Sequence, residues 1–103
     1  MTKAEFTQEK GQLTVHLIGD IDHHGASMIR YNIDTHIVKA MVKVVVIDFT
    51  GVTFMDSSGI GLVLARHKTC QDCGASLYVS GVDRQMGKIL ALAGIRTIQN
   101  INV

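Results

Sequence analysis

The feature that most constrains the fold is the stretch of residues 44–64, in which a buried strand is followed almost at once by a buried helix. Its first part is a run of β-branched residues, which is typical of a central strand covered on both faces. Its last part is apolar over a length that suits a helix. Between the two lies the polar segment Asp56-Ser57-Ser58-Gly59. We expect this segment to form a turn at the edge of a sheet, where binding sites of α/β proteins collect.

Composition indicates one compact domain spanning residues 1–103. Hydrophobic residues make up 47% of the chain and charged residues 18%, which excludes a disordered chain and favours an apolar core. The formal net charge is +1, so the chain lacks the basic surface that draws nucleic acid or an anionic membrane, and we expect neither as a partner. Residues 1–6 lack the apolar core of a signal peptide, and no segment reaches membrane-spanning length, so we expect a cytoplasmic protein.

The first half of the chain predicts a hairpin and a helix. Residues 6–9 and 13–19 alternate apolar with polar on either side of a glycine-containing turn, which places Leu13, Val15 and Leu17 on one face. Asp22 is a suitable N-cap for a helix over residues 23–39. The apolar positions of that helix recur every three or four residues and form one stripe: Ala26, Ile29, Ile33, Ile37 and Ala40. Arg30, Asn32, Asp34, Thr35 and Lys39 fall mostly on its solvated side.

The second half predicts alternating strands and helices. A strand over residues 43–49 precedes a helix that begins at Ser57 or Ser58, continues to about residue 73 and ends at Gly74. A short strand follows over residues 77–79, and Asp83 opens a third helix. Its predicted buried face carries Met86, Ile89, Leu90 and Ala93, and a last strand covers residues 97–101. The order β-β-α-β-α-β-α-β predicts an α/β fold with a mixed, mostly parallel sheet, an antiparallel hairpin at its edge and three packed helices.

The two adjacent serines allow three roles. A serine at a strand-to-helix turn is most often a structural cap, and with two serines one can cap while the other stays free; we assign the cap to Ser58. A nucleophilic serine would need the pattern Gly-x-Ser-x-Gly, which is absent, and a nearby base, for which only His23 and His24 are placed. A phosphate on the serine would be tolerated, because the helix N-terminus carries unpaired N–H groups and partial positive charge. For Gly59 and Gly61 we expect a role in close helix-to-sheet packing.

The sequence predicts no metal site and no cofactor. His23 and His24 are neighbours whose side chains diverge by about 100° on a helix, and one C-x-x-C pair supplies only two of the four ligands of a structural zinc. Cys70 and Cys73 lie at the C-terminal end of the second helix, where the helix dipole disfavours a thiolate. We interpret them as ordinary helix-end residues.

Two segments together resemble a known family. Residues 54–61, Phe-Met-Asp-Ser-Ser-Gly-Ile-Gly, and residues 19–24, Gly-Asp-Ile-Asp-His-His, are similar to those of the anti-sigma factor antagonists with the STAS fold. The resemblance implies that Ser57 is phosphorylated by a partner that is both an anti-sigma factor and a serine kinase. It also implies partner switching: the unphosphorylated chain binds that partner and frees its sigma factor, and a PP2C-type phosphatase removes the phosphate. The partner would supply ATP and magnesium, so this chain would be a substrate and not an enzyme.

By the same resemblance, the surface that binds the partner lies around the turn and along the second helix. It comprises Asp20, Asp22, His23, Asp56, Ser57, Ser58, Gly59 and Arg66. We expect a monomer. The alternative is a STAS domain that senses a small ligand or scaffolds a regulatory complex without phosphorylation, and the sequence leaves open whether the pathway is sporulation or general stress.

Overall fold

The computed structural model describes residues 1–99, which form five strands and three helices. In chain order these are β1 (Thr2–Glu9), β2 (Gln12–Ile21), α1 (His23–Ala40), β3 (Val44–Met55), α2 (Ser58–Asp72), β4 (Ser76–Ser80), α3 (Arg84–Leu92) and β5 (Arg96–Thr97). The last predicted strand is thus shorter than expected, and positions 100 and 101 of that prediction lie outside the described residues.

The strands form one mixed sheet in the order β1-β2-β3-β4-β5. β1 pairs with β2 antiparallel, and every later pair is parallel. The hairpin between β1 and β2 turns through Lys10 and Gly11, whose φ angles of 52° and 78° are the positive values that a two-residue hairpin turn requires. Each parallel pair is joined through a helix. The predicted α/β class, with an antiparallel hairpin at the edge of a mostly parallel sheet, is confirmed.

The three helices share one core with one face of the sheet. Alternate residues of β3, namely Val45, Ile47 and Phe49, belong to a single buried cluster with side chains from α1, α2 and α3. The cluster includes the predicted face of the hairpin, Leu13, Val15 and Leu17, and most of the α1 stripe, Ile29, Ile33 and Ile37. The spacing of apolar residues therefore predicted correctly which face of each of these elements is buried.

None of the three helices in residues 1–99 packs in the core from the opposite face of the sheet, and polar side chains line up across that face. His16 of β2, Asp48 of β3 and Ser80 of β4 are paired in register. Asp48 is 5% exposed, and its Oδ2 lies 3.1 Å from Nδ1 of His16. Its Oδ1 accepts hydrogen bonds from the hydroxyls of Ser80 at 3.0 Å and Thr50 at 2.6 Å. A buried carboxylate therefore joins the three central strands.

The predicted end of β3 and part of the predicted buried face of α3 are wrong. β3 continues to Met55 instead of ending at residue 49, because residues 50–55 pair with the end of β2, from Ile18 opposite Gly51 to Ile21 opposite Met55. In α3, Met86 and Leu90 are buried as predicted, but Ile89 is 39% exposed and Ala93 is exposed beyond the helix end.

No helix among residues 1–99 has the length and hydropathy needed to cross a bilayer.

Candidate functional site

The turn before α2 lies beside the turn before α1, as expected for two parallel neighbouring strands that end at one edge of a sheet. Ile21 at the end of β2 is paired with Met55 at the end of β3. The backbone N–H of Asp56 donates to the carbonyl of Ile21 at 3.3 Å. The structure therefore brings the segment of Asp20, Asp22 and His23 next to the segment that carries Ser57.

The side chain of Asp56, and not that of Ser58, accepts from the first N–H of α2, while Ser57 stands at the N-cap position. Oδ1 of Asp56 accepts a hydrogen bond from the N–H of Ser58 at 2.8 Å, the local turn that Asp side chains commonly form with the backbone two residues on. The N–H of Ser58, then its hydroxyl, and the nearby charge of His23 together lower the pKa of Asp56 below its ordinary value of 3.8. The prediction that Ser58 caps the helix is wrong because Ser58 is already the first residue of α2. Ser57 occupies the N-cap position without a side-chain capping bond, and the carboxylate of Asp56 accepts from the first N–H of the helix.

Ser57 presents a free hydroxyl at the helix N-terminus. Its backbone is already helical, with φ −62° and ψ −13°, and its carbonyl accepts hydrogen bonds from the N–H groups of Ile60 and Gly61 at 3.1 and 3.2 Å. Its side chain is exposed and makes no hydrogen bond to any of residues 1–99. The backbone fixes where this hydroxyl stands, and nothing in the described chain occupies its oxygen.

The two glycines of the turn differ. Gly59 is buried, and a Cβ there would collide with the thioether of Met55, so the predicted close packing of α2 on the end of β3 is confirmed. Gly61 is exposed, and a Cβ there would meet no atom within 4 Å. The packing role predicted for Gly61 is therefore wrong: the fold has room for a side chain at that position.

The residues before α1 are held by local hydrogen bonds. Asp22 is the N-cap, as predicted, and its Oδ1 accepts from the N–H of Gly25 at 2.7 Å. Oδ1 of Asp20 accepts from the hydroxyl of Thr53 at 3.1 Å, which ties this segment to β3. Asp20 and Asp22 are partly exposed, and His23 is exposed. These three side chains and Asp56 surround the Ser57 turn with mainly acidic groups.

Arg66 does not lie on this surface. Its side chain is 8% exposed, and its Nε lies 2.9 Å from Oδ1 of Asp34 on α1. The hydroxyl of Thr69 donates to the same oxygen at 2.9 Å. The prediction of Arg66 as a partner-binding residue is corrected, because the packing of α1 on α2 buries its guanidinium in an ion pair.

Sequence reasoning missed a cleft between the Ser57 turn and α3. Met55, Asp56, Ser57 and Ile60 line one side, and the first half of α3 lines the other with Asp83, Gln85, Met86 and Ile89. Its volume is about 270 Å³. The signal was available, since β4 is paired in parallel with β3 and the turn that opens α3 must therefore fall at the same sheet edge.

The cysteines and histidines form no metal-binding cluster within the described part of the chain. Cys70 is buried and Cys73 exposed, both with free thiols, and burial together with the neighbouring thiol and Asp34 raises the pKa of Cys70 to about 12. Across residues 1–99 there is no cluster of three or more His, Cys, Asp or Glu side chains arranged for a metal ion.

The fold and the site define a small α/β domain: a helix-backed mixed sheet with an exposed serine at one edge and acidic side chains around it. Comparison with known proteins assigns this domain to a family. Residues 3–102 match the STAS domain family. The anti-sigma F factor antagonist of Paenibacillus polymyxa is 32% identical over 97 residues, which cover 94% of this chain and 83% of that protein.

Two solved structures of SpoIIAA, the stage II sporulation protein AA, are also similar. The structure of this anti-sigma factor antagonist in its unphosphorylated form has a TM-score of 0.77 at 27% identity and covers 97% of this chain and 89% of that one. The structure of the Bacillus cell fate determinant SpoIIAA in its phosphorylated form has a TM-score of 0.75 at 26% identity, with coverage of 97% and 91%. The chain belongs to the STAS domain family and, within it, to the anti-sigma factor antagonists.

Proposed function

We propose that this chain binds an anti-sigma factor with serine kinase activity while Ser57 is unmodified, and releases it once Ser57 carries a phosphate. The observation that carries the proposal is the Ser57 hydroxyl, which is exposed, unbonded within residues 1–99 and fixed by a helical backbone. The resemblance to SpoIIAA supports it, because that relative exists in an unphosphorylated and a phosphorylated form.

The turn suits a phosphate that can be added and removed. The N-terminus of α2 supplies partial positive charge, so a dianion on Ser57 does not disturb the helix. Its charge of about −1.5 to −2 joins an edge that already carries Asp20, Asp22 and Asp56. A kinase that holds ATP presents nucleotide phosphates to the serine, so the modified edge is repelled where the neutral hydroxyl was accepted.

The partner carries the chemistry in this proposal. A serine nucleophile needs a base within hydrogen-bonding distance, and in the described chain the hydroxyl of Ser57 bonds neither His23 nor His24. ATP, magnesium and the catalytic base therefore come from the kinase, and a PP2C-type phosphatase resets Ser57. We further propose that the chain acts in the cytoplasm as a monomer. The similarity to an anti-sigma F factor antagonist favours a sporulation pathway over general stress.

Phosphate mapping tests the proposal. The chain is incubated with the anti-sigma factor kinase encoded in the same genome, ATP and magnesium, and the modified residue is located by mass spectrometry. Phosphate on Ser57 is expected, with Ser57→Ala inert and Ser58→Ala still modified. Phosphate on Ser58 alone would refute the assignment.

A second candidate function is the sensing of a small anionic ligand. A cavity of about 760 Å³ lies between α3 and β5 and is lined by Arg84, Lys88 and Arg96. Thermal denaturation with and without nucleotides distinguishes this candidate, since a ligand at 100 times its Kd adds about 2.7 kcal/mol to the free energy of unfolding. Stabilisation that Ser57→Ala leaves unchanged would favour the sensor.

A further inference from the structure

We propose that the cleft between the Ser57 turn and α3 receives an arginine or lysine side chain of the anti-sigma factor kinase, which makes α3 part of the docking surface. The inference rests on the proposed function and extends it from the turn to a helix that no sequence motif marked. The cleft holds about 270 Å³ and is lined both by Ser57 and by α3, so whatever fills it lies next to the hydroxyl to be phosphorylated.

The walls of this cleft are apolar. Met55 and Ile60 are half-buried on the side of the turn, and Ile89 of α3 is 39% exposed on the other side. Ile89 is not part of the buried core, because Met86 and Leu90 provide the buried face of α3. Contact with the methylene groups of a partner side chain would remove this apolar surface from water.

Two carboxylates, Asp56 and Asp83, also line the cleft, and each is held in place by a backbone N–H at the start of the helix that follows it. Oδ1 of Asp56 accepts from the N–H of Ser58 at 2.8 Å, and Oδ1 of Asp83 accepts from the N–H of Met86 at 2.8 Å. Neither carboxylate has a lysine or arginine in an ion pair anywhere in residues 1–99. The second oxygen of Asp83 remains available to an incoming donor.

The combination of an apolar wall and fixed acidic groups selects the occupant. A wholly apolar side chain would desolvate carboxylates without pairing them, and an acidic one would be repelled. Arginine and lysine have long apolar stems and cationic heads, which match the wall and the two carboxylates in turn. A basic side chain seated there holds the kinase against the Ser57 turn before transfer of the phosphate.

The test measures the affinity of the unphosphorylated chain for the kinase encoded in the same genome, loaded with ADP and magnesium, by isothermal titration calorimetry. Asp83→Asn removes the charge but keeps a good N-cap, and Ile89→Ala removes the wall. Each has a matched control elsewhere: Asp72→Asn for an exposed carboxylate, and Leu92→Ala for an apolar side chain of α3 that is 91% exposed.

We expect each cleft variant to raise Kd about tenfold and each control to change it less than about twofold. Asp83→Asn should also lower the salt dependence of binding, because it removes a charge pair. Wild-type binding with unchanged Kd in both cleft variants would overturn the cleft inference and leave the proposed function standing. Failure of the wild-type chain to bind the kinase at all would instead overturn the proposed function, and the inference with it.

Discussion

The buried carboxylate of Asp48 is predicted to stabilise the fold, and Asp48→Asn tests this with almost no change in volume. Oδ1 of Asp48 accepts from the N–H of Thr50 at 3.2 Å, its hydroxyl at 2.6 Å and the hydroxyl of Ser80 at 3.0 Å, while Oδ2 faces Nδ1 of His16. Burial alone would raise the pKa of Asp48, but these hydrogen bonds outweigh it and hold the pKa below 3.8.

The expected loss of stability in Asp48→Asn follows from replacing hydrogen bonds to a charged group by hydrogen bonds to a neutral one. Hydrogen bonds to a charged group contribute about 1.5–3 kcal/mol each and neutral ones about 0.5–1.5 kcal/mol, whereas the neutral amide is easier to bury. With four contacts and that opposing effect, Asp48→Asn should lower the free energy of unfolding by about 2 kcal/mol at pH 7. For a domain of this size the melting temperature should fall by roughly 8–16 °C.

The lowered pKa of Asp48 determines how its contribution to stability changes with pH. Since the pKa of Asp48 is lower in the folded chain than in the unfolded chain, its stabilisation is present above the unfolded value and is lost as the pH falls through the folded value. Urea denaturation at a series of pH values should therefore show a gap between wild type and Asp48→Asn that closes in acid. Asp72→Asn, in the exposed pair with Lys68, is the control and should change stability by less than about 0.5 kcal/mol. Equal stability at pH 7, or a gap that widens in acid, would refute this reasoning.

Two further substitutions test other parts of the structure. Gly61→Ala should raise the free energy of unfolding by about 0.5–1 kcal/mol, because the helical position is exposed and a Cβ there meets nothing; a loss of stability on urea denaturation would contradict the open space seen at Gly61. Arg66→Ala should cost about 2–3 kcal/mol by leaving Asp34 without its buried partner, and a thermal melt matching wild type would show that the pair contributes nothing.

Features set by local pattern were predictable from the sequence. The period of Leu13, Val15 and Leu17 identified the buried face of β2, and Asp22 was a correct N-cap because capping depends on neighbouring residues. The adjacency of the two polar turns was predictable too, since parallel strands end at the same edge. These inferences needed only the order of strands and helices along the chain and the spacing of the apolar residues.

Features set by tertiary contact were not predictable. Arg66 is buried because α1 brings Asp34 next to it. This ion pair joins two helices, so the sequence of neither helix alone predicts it. The second half of β3 is a strand because β2 pairs with it, and its mixed sequence of Thr, Gly, Val, Phe and Met does not mark where the strand ends. Ser58 was a reasonable cap by residue type, but the helix begins at Ser58 itself, and Asp56 accepts from the N–H of Ser58. The strand order places the turn before α3 at the same sheet edge as Ser57, but the cleft between them depends on how α3 packs.

The most direct test of the central claim compares the affinity of one kinase for the chain with and without phosphate on Ser57. The two forms are separated after phosphorylation, confirmed by mass spectrometry and titrated against the kinase with ADP and magnesium, with Ser57→Ala as the unmodifiable control. We predict that phosphate on Ser57 raises Kd by at least about a hundredfold, roughly 2.7 kcal/mol, while Ser57→Ala binds within a few-fold of the unmodified chain. Equal affinity of the two forms would contradict the account of Ser57 as the switch.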